Sequence, residues 1–451
     1  MMVQNLEEAL EVVYGPYNRA RPFIRFGDGD AVVRRPELTR RLLDLAGQPD
    51  RGQPVVLVTG SKGKGSVSRL IAALLEEHGL RIGLFTSPHL VEFTERIRVN
   101  GKAVSEGRLL RYLNEILPRI EQVQSGLTPE AYLGPVGISL ALAMLVFRDE
   151  KTDLNVIECG RGGTYDDANV LDHKWAVITP VMDEHLLSLG PTIVHVAEHK
   201  AGIIKAGQRA AFSAKQNDPV MEVLQKRASD CGVRLHTAGT GFGARDVSLT
   251  RYGTKARVFT RNKDYGAITL PLLGTFQADN ASLAIAVAEE ICSGNLGTEK
   301  VRQALAGVRW PGRCEIMAQR PTVLVDGTIN RASAKYLVEI IGGLGLKPVI
   351  SVVGITAEKD YRGVLAALGP ISEVVILTRA PGAQHPFPDD GAEVAGAYCS
   401  RVLSTPSLED AVREAKLMAG PEGLVCVAGT QHIIGQAQKI WGRNLQDLRN
   451  L

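Results

Sequence analysis

The sequence predicts an α/β protein built around a mostly parallel sheet. Short apolar runs of strand length alternate with amphipathic helical patterns along most of the 451 residues. This alternation is typical of parallel strands joined by helices that cover both faces of the sheet. A proline- and glycine-containing stretch, Gly307 to Arg313, interrupts the pattern, which then resumes. We therefore predict two α/β domains, residues 1–310 and 311–451, with a ligand cleft between them.

The composition argues against several classes of protein. The net charge is only +3 and aromatic residues make up 5% of the chain, which does not favour nucleic-acid binding. No uncharged run of 18 residues could cross a membrane, and the acidic N-terminal segment does not suit a signal peptide. The six cysteines lack CxxC spacing and are expected to be reduced. We expect a cytoplasmic monomer that acts on small molecules, without nucleic-acid or membrane partners.

The individual elements follow from the positions of the apolar runs. A strand at Pro54–Thr59 leads through a glycine-rich loop into a helix that ends at His78 and Gly79. A polar, glycine-rich stretch from Gly239 to Gly266 predicts antiparallel hairpins, and Leu283–Cys292 predicts a further helix. The other predicted strands are Ile82–Phe85, Asn155–Glu158, Ala176–Thr179, Arg209–Phe212, Thr322–Asp326, Pro348–Gly354, Val374–Thr378 and Leu424–Ala428.

The loop after the first strand reads G-S-K-G-K-G-S and indicates a phosphate-binding site. A glycine-rich loop that opens a helix presents backbone N–H groups and the helix N-terminus to an anion. Lys64 supplies a compact positive charge for the β- and γ-phosphate oxygens. The candidate ATP-binding residues of this loop are Gly60, Ser61, Lys62, Gly63, Lys64, Gly65 and Ser66.

This loop departs from the general P-loop pattern at two positions. Val58 stands where the pattern has its first glycine, and Gly65 stands where Ser or Thr usually holds Mg²⁺. A hydroxyl must therefore come from Ser66 or from another loop. The alternative is a glycine-rich turn that binds no ligand, and the sequence that follows argues against it.

The segment T-S-P-H-L-V-E-F-T-E-R-I-R-V-N-G, residues 86–101, resembles the signature of folylpolyglutamate synthases, a branch of the ATP-dependent Mur ligase superfamily. The resemblance extends from about Pro54 to about Gly435 and includes the W-P-G-R hinge, Trp310 to Arg313. It implies a central P-loop-type ATP-binding domain and a smaller Rossmann-like C-terminal α/β domain. It also implies an ADP-forming ligase that adds glutamate to a folate, with ATP and two Mg²⁺ ions as cofactors.

Glu158 ends a predicted strand, where the side chains of an open α/β sheet face the ligand crevice. A carboxylate there is well placed to bind Mg²⁺, the alternative being a solvated strand-end glutamate. The resemblance implies Glu158 and His185 as magnesium ligands, together with Lys200 in a carbamylated form. Ser87 is expected to supply the hydroxyl that Gly65 lacks, with His89 the weaker choice.

The segment H-V-A-E-H-K-A-G-I-I-K allows two interpretations. His195, Glu198 and His199 fit H-x-x-E-H, a zinc-ligand spacing that places both imidazoles on one helix face. Alternatively, K-A-G-I-I-K matches the family segment whose first lysine is Lys200. The longer match favours the second interpretation. His199 replaces the glutamate of the family at this point.

Two further segments resemble the nucleotide-facing parts of the family. In L-G-T-F-Q-A-D-N-A, Gln277 and Asn280 are retained, while Phe276 replaces a histidine. In V-L-V-D-G-T-I-N, the retained residues include Asp326, and Ile329 replaces a second histidine. Further candidates that the resemblance implies are Gly327, Asn330, Lys359, Asp360 and, for a phosphate group, the hinge residue Arg313.

We expect catalysis to depend on Lys64, Glu158, His185 and Lys200. The segment Arg25–Arg34 departs from the family, so contacts to folate are not carried over. One alternative is therefore a Mur ligase paralogue that acts on a different carboxylate. Another is an ATP-binding scaffold or subunit without activity, which would have no need of two metal sites.

Overall fold

The computed structural model describes residues 2–25, 27–380, 382 and 386–451. Phe26, in the altered N-terminal segment, lies outside them. The first sheet has eight strands in the order β4-β3-β2-β5-β1-β6-β7-β8. These strands are β1 Val55–Thr59, β2 Ile82–Phe85, β3 Ile97–Val99, β4 Lys102–Ala103, β5 Leu154–Glu158, β6 Trp175–Ile178, β7 Ala210–Ser213 and β8 Leu235–Thr237. All are parallel except β3 and β4, which extend one edge in antiparallel fashion.

Helices cover both faces of this sheet. They are α1 Leu6–Ala20, α2 Asp30–Val33, α3 Pro36–Leu45, α4 Lys64–Glu77, α5 Glu106–Gln124, α6 Pro135–Asp149, α7 Leu186–Leu189, α8 Ile193–Ala201 and α9 Asp218–Asp230. Strand β1 shows how the two cores form. Val55 and Leu57 pack on one face and Val56 and Val58 on the other, and all four are buried. A continuous apolar run thus becomes a strand buried on both sides.

A three-stranded antiparallel sheet follows, with β9 Phe242–Thr250, β10 Gly253–Thr260 and β11 Asp264–Leu270 in the order β11-β10-β9. It is followed by helices α10 Phe276–Ile291 and α11 Thr298–Gly307. The predicted hairpins are therefore confirmed. Helix α10 begins seven residues before the predicted Leu283, because Gln277 and Asn280 are buried polar residues that interrupt the apolar pattern of its first turns.

The third sheet lies beyond the hinge and has the order β12-β13-β17-β14-β15-β16. Its strands are β12 Glu315–Gln319, β13 Thr322–Asp326, β14 Val349–Gly354, β15 Val374–Leu377, β16 Val402–Ser404 and β17 Leu424–Gly429. Only β12 is antiparallel to its neighbour. The helices are α12 Arg331–Leu344, α13 Tyr361–Leu368, α14 Gly391–Gly396, α15 Leu408–Ala419 and α16 Gln431–Ile440. The predicted α/β class is confirmed, and the domain boundary at residue 311 stays a prediction.

The chain crosses between the two large sheets at the hinge and returns at its C-terminal segment. After α16, the Gln446 carbonyl accepts a hydrogen bond from the Ala103 N–H at 2.7 Å. The Leu448 N–H donates to the Gly101 carbonyl at 3.1 Å, which joins this segment to the β4 edge of the first sheet. Among the residues that the structure describes, no helix is long and apolar enough to span a membrane.

Leu448 anchors this returning segment, since it is only 1% exposed. Replacing it with alanine removes buried methyl groups and leaves a cavity, which costs about 2–4 kcal/mol. We therefore expect Leu448→Ala to lower the urea midpoint of unfolding, followed by circular dichroism. Leu417→Ala is the matched control, because Leu417 is 80% exposed. Equal midpoints for the two variants would show that the segment does not contribute to stability.

Candidate functional site

The predicted phosphate loop lies at the carboxyl edge of the first sheet, between β1 and α4. Gly63 has a φ of +85°, and a Cβ atom there would come within 2.9 Å of the Asn280 Oδ1 atom. A non-glycine residue would be strained by both the backbone angle and this close approach. Asn280 in turn donates to Gln277 at 3.0 Å, and both amides are buried. The first turns of α10 thus pack directly against the phosphate loop.

Gly65 is explained by a second close approach, from the hinge. A Cβ atom on Gly65 would lie 3.0 Å from the Trp310 ring and 3.4 Å from a Glu158 carboxylate oxygen. The space that a serine or threonine side chain would occupy is therefore filled by the hinge tryptophan. The departure from the general P-loop has a packing cause, and it brings Trp310 onto the first turn of α4.

Two lysine side chains meet at one carbonyl oxygen of this loop. The Lys64 Nζ atom donates to the Gly60 carbonyl at 3.0 Å, and the Lys200 Nζ atom donates to the same oxygen at 2.9 Å. Lys64 stands at the start of α4 and Lys200 near the end of α8. The structure therefore brings together two predicted catalytic residues that are 136 positions apart in the chain.

Lys200 is fully buried. Its ammonium group also donates to the Arg161 carbonyl at 3.3 Å and to the Glu184 carboxylate at 3.1 Å. Burial, reinforced by the nearby Lys64 charge and opposed by Glu184, lowers the pKa of Lys200 to about 8. A lysine with a lowered pKa has a larger neutral fraction near neutral pH, and the neutral amine is its nucleophilic form.

Glu158 ends β5 beside the phosphate loop, as the sequence predicts, and is 4% exposed. One carboxylate oxygen accepts a hydrogen bond from the Ser87 N–H at 3.0 Å. Burial raises the pKa of Glu158, while Lys64, the Ser87 N–H and the Arg313 charge oppose the shift. The predicted metal ligands Ser87 and Glu158 are therefore neighbours. A buried carboxylate with one hydrogen-bond donor has oxygen lone pairs available for a hard cation.

The predicted ligand His185 lies differently. It has a φ of +50° at the start of α7, and its side chain is exposed and makes no hydrogen bond to the described residues. The adjacent Glu184 instead points its carboxylate to Lys200. In the described part of the chain, no group of three or more His, Cys, Asp and Glu side chains is arranged to bind a metal. The predicted metal ligands Ser87 and Lys200 are not among those four residue types.

The zinc interpretation of H-x-x-E-H gains no third ligand. His195 contacts the Thr192 hydroxyl at 2.8 Å, while His199 packs edge-to-face on Tyr165 with ring centroids 5.2 Å apart. Glu198 and His195 are exposed. The two imidazoles share a helix face but have different structural partners. His89, the weaker candidate, accepts a hydrogen bond from Arg96 and braces the loop after Ser87.

Asp326 at the end of β13 is held by three donors. Its Oδ2 atom accepts from the Cys314 N–H at 3.0 Å and from the Cys314 thiol at 3.2 Å. The Thr328 hydroxyl donates to Oδ1. The neighbouring Arg313 guanidinium donates to the Gly312 carbonyl at 3.1 Å and lies against Gly327. Cys314, directly after the hinge, and Thr328 therefore fix the orientation of the carboxylate that the sequence predicts to face the nucleotide.

Other predicted residues have structural partners. Asn330 caps α12 by accepting from the Ser333 N–H at 2.9 Å. Asp360 caps α13 and also accepts from the Arg331 N–H at 2.9 Å. Lys359 lies next to Glu358, with 4.0 Å between their charged atoms.

Sequence reasoning missed four contributors to the site. Glu184 and Cys314 hold predicted residues in place, and Arg161 forms an ion pair with the buried Asp30 at the start of α2. Arg161 lies inside the G-R-G-G run after Glu158, so its neighbourhood was visible in the sequence. Its partner was not, because Asp30 is 131 residues away.

Comparison with known proteins decides the family. The Mur ligase middle domain matches residues 58–288, and the Mur ligase glutamate ligase domain matches residues 312–431. The dihydrofolate synthase/folylpolyglutamate synthase of Mycobacterium tuberculosis is 31% identical over 444 residues, which cover 91% of each chain. The chain belongs to the folylpolyglutamate synthase family of Mur ligases. The resemblance predicted from the signature is thereby confirmed.

Two further comparisons cover different fractions of the matched proteins. A structure of the Mycobacterium tuberculosis folylpolyglutamate synthase complexed with ADP and AMPPCP has a TM-score of 0.88 at 29% identity. It covers 98% of this chain and 100% of the other. A probable bifunctional folylpolyglutamate synthase/dihydropteroate synthase of Halobacterium salinarum is 31% identical over 91% of this chain. The chain spans about half the length of that relative (50%).

The Cys314–Asp326 contact predicts an effect on nucleotide binding. Hydrogen bonds to a charged group contribute about 1.5–3 kcal/mol, which is about 10- to 150-fold in affinity, and a thiol is a weak donor at the lower end of that range. We expect Cys314→Ala to raise the KM for ATP about tenfold, while Cys314→Ser, which keeps a donor, stays within about threefold of the parent. Steady-state kinetics and calorimetric binding of Mg·ADP measure both.

Cys399→Ala is the matched control, because among the described residues the hydrogen-bond acceptors of that buried thiol are all backbone carbonyls, near the third sheet. The same KM for the alanine and serine variants of Cys314 would contradict a role for the thiol in orienting Asp326.

Proposed function

We propose that this protein is an ADP-forming ligase that joins glutamate to a folate. The observation that supports it best is the meeting of Lys64 and Lys200 at the Gly60 carbonyl, beside Glu158. Relatives of the same family carry the names folylpolyglutamate synthase and dihydrofolate synthase. A site of this charge suits transfer of a phosphoryl group to a carboxylate.

The chemistry requires an activated carboxylate. The γ-phosphoryl group of ATP passes to the acceptor carboxylate, which gives an acyl phosphate and ADP. The glutamate amine then attacks the acyl carbon, and phosphate leaves as the amide forms. Lys64 neutralises charge that develops on the transferred group, and the N-terminus of α4 orients the phosphates.

Water must be kept from the acyl phosphate, which it would hydrolyse. The hinge is the element on which the two halves would close. Phe276 of α10 packs edge-to-face on Tyr336 of α12, with ring centroids 5.4 Å apart, so the halves already touch beside the phosphate loop. This aromatic contact occupies the position where the family resemblance has a histidine.

The residues present fit a magnesium ion at one position. Ser87 and Glu158 would hold it, because the Glu158 carboxylate is buried and accepts a single hydrogen bond from the residues that the structure describes. When bound, Mg²⁺ would neutralise phosphate charge and orient the phosphates. A second ion needs an anionic Lys200, since the ammonium form is a donor to three oxygens and has no lone pair to offer. Carbamylation of Lys200 is therefore part of the proposal, with His185 as its candidate co-ligand.

The functional assay measures ADP and phosphate release from ATP with Mg²⁺. It uses tetrahydrofolate or dihydropteroate with glutamate, each omitted in turn, and mass spectrometry of the product. We expect release only with both organic substrates, and a product heavier by one glutamyl residue. Lys64→Ala should abolish release with little change in the thermal midpoint, because Lys64 is needed for charge neutralisation.

Each other result has a definite meaning. Release that needs neither organic substrate would contradict the ligase proposal. Mg·ATP binding without ADP release, with either tetrahydrofolate or dihydropteroate present, would contradict the proposed acceptor. A panel of other carboxylates would then test the paralogue alternative. Full activity of Lys64→Ala would contradict the role given to the phosphate loop.

The state of Lys200 is tested separately. Protein equilibrated with ¹³C-labelled bicarbonate should show a carbamate carbon signal in the NMR spectrum, because the lowered pKa favours the neutral amine that reacts with CO₂. Lys200→Arg should lack the signal, and Lys205→Arg, at a partly exposed lysine nearby, should keep it. A spectrum with no carbamate signal in the parent protein would contradict carbamylation. It would not affect the ligase proposal, which the ADP-release assay tests independently.

A further inference from the structure

A cavity of about 420 Å³ lies at the opposite end of the first sheet from the phosphate loop. It opens at the amino ends of β1, β5, β6 and β7, and its lining includes residues 50–54, 153–154, Asp172, Lys174 and Trp175. The candidate active site lies at the carboxyl ends of the same strands. The two sites are therefore separated by the length of the sheet, and no residue of this cavity belongs to the ligase machinery.

One side of the lining is an apolar wall. Pro54, Leu80 and Ile291 are half-buried and line the cavity. Trp175 also lines it and is 4% exposed, and its indole N–H has no acceptor among the described residues. This N–H is itself buried, so Trp175 contributes the apolar surface of its ring to the cavity rather than a donor.

The carboxylates of the lining already have partners. Asp50 accepts two hydrogen bonds from Arg40, at 2.6 and 3.0 Å. Asp153 accepts from the Arg81 N–H at 2.7 Å, and Asp172 pairs with Lys174 at 3.2 Å. Arg40 and Lys174 thus compensate the charges of Asp50 and Asp172, whereas the neutral Arg81 amide leaves the charge of Asp153 in place.

Two guanidinium groups of the lining have no such partner. Arg51 and Arg209 are exposed, and neither has a carboxylate within 4.0 Å among the residues that the structure describes. Arg209 lies over the Trp175 ring, 5.4 Å from its centroid, with the free face of the guanidinium available for stacking. In the described lining, two guanidinium groups without a carboxylate partner thus outnumber the one carboxylate without a cationic partner, Asp153, and leave an excess positive charge beside the apolar wall.

From this arrangement we propose that the cavity binds a small organic anion that carries an aromatic ring. The ring would pack between the Arg209 guanidinium plane and the wall formed by Pro54 and Leu80. The anionic group, a phosphate or a carboxylate, would be held by Arg51 and Arg209, since guanidinium matches both geometrically. The volume lies within the range of about 300–1,000 Å³ that small-molecule sites occupy.

The test is isothermal titration calorimetry of the full chain with simple probes. 1-Naphthyl phosphate and 1-naphthoate carry the ring with either anionic group, and comparing them identifies the preferred anion. 1-Naphthalenemethanol carries the ring without charge, and inorganic phosphate carries the charge without the ring. We expect one of the two aromatic anions to bind with 1:1 stoichiometry and at least tenfold more tightly than either control probe.

Variants locate the binding. Arg209→Gln and Arg51→Gln should each weaken it about tenfold, the loss expected for one charged hydrogen-bonding group. Arg251→Gln, at an exposed arginine in the β9–β10 turn, should leave it unchanged. Lys64→Ala should also leave it unchanged, because Lys64 lies at the other end of the sheet.

Three results with the probes and the arginine variants would overturn the proposal. They are absence of binding by both aromatic anions, equal affinity for the control probes, and unchanged affinity in both arginine variants. A loss in Lys64→Ala as large as in Arg209→Gln would also overturn it, because the probe would then occupy the phosphate loop. Since all the arginine changes are on the surface, thermal midpoints should match the parent, and binding differences then report the cavity itself.

Discussion

The candidate site depends on the buried Lys200 side chain, which the structure shows as an ammonium; the proposed carbamate would exchange its hydrogen bonds for contacts to a metal ion. A buried charge is tolerated only when hydrogen-bond acceptors replace its lost hydration. Here the acceptors come from three separate loops: the Gly60 carbonyl after β1, the Arg161 carbonyl after β5 and the Glu184 carboxylate after β6. One side chain from α8 therefore holds three carboxyl-end loops of the sheet in a fixed relation, and the phosphate loop is one of them.

Close packing adds a second constraint at the same place. Asn280 approaches Gly63, and Trp310 approaches Gly65, so neither glycine can carry a side chain without displacing a neighbour. These contacts link α10 and the hinge to the first turn of α4. The missing P-loop hydroxyl at Gly65 thus accompanies a tryptophan that reaches the phosphate loop from the hinge. Movement at the hinge would therefore directly change the packing around the residues expected to bind phosphate.

Much of the fold could be predicted because its signals are local. The five-residue apolar run of β1, the glycine loop and the apolar face of α4 lie within a short stretch of chain, and so does Glu158 at the end of β5. The start of α10 could not be predicted from apolar periodicity, because Gln277 and Asn280 are polar residues that are buried and hydrogen-bonded to each other. Long-range pairs were equally hidden. The Asp30–Arg161 ion pair depends on a tertiary arrangement that no spacing in the sequence encodes.

The residues that differ from the family pattern lie in two parts of the candidate site. Around the phosphate loop, Lys64 and Lys200 converge on the Gly60 carbonyl, and Phe276 makes an aromatic contact with Tyr336 at the position where the family resemblance has a histidine. On the other side, the Arg161 guanidinium pairs with Asp30 of the N-terminal segment, while its own carbonyl holds Lys200. A change in what the N-terminal segment contacts can therefore reach the phosphate loop through a single residue. Phosphoryl transfer requires positioned charges, whereas the choice of acceptor requires a surface of matching shape. The charged residues can therefore be retained in a protein whose acceptor-binding surface differs from that of the family.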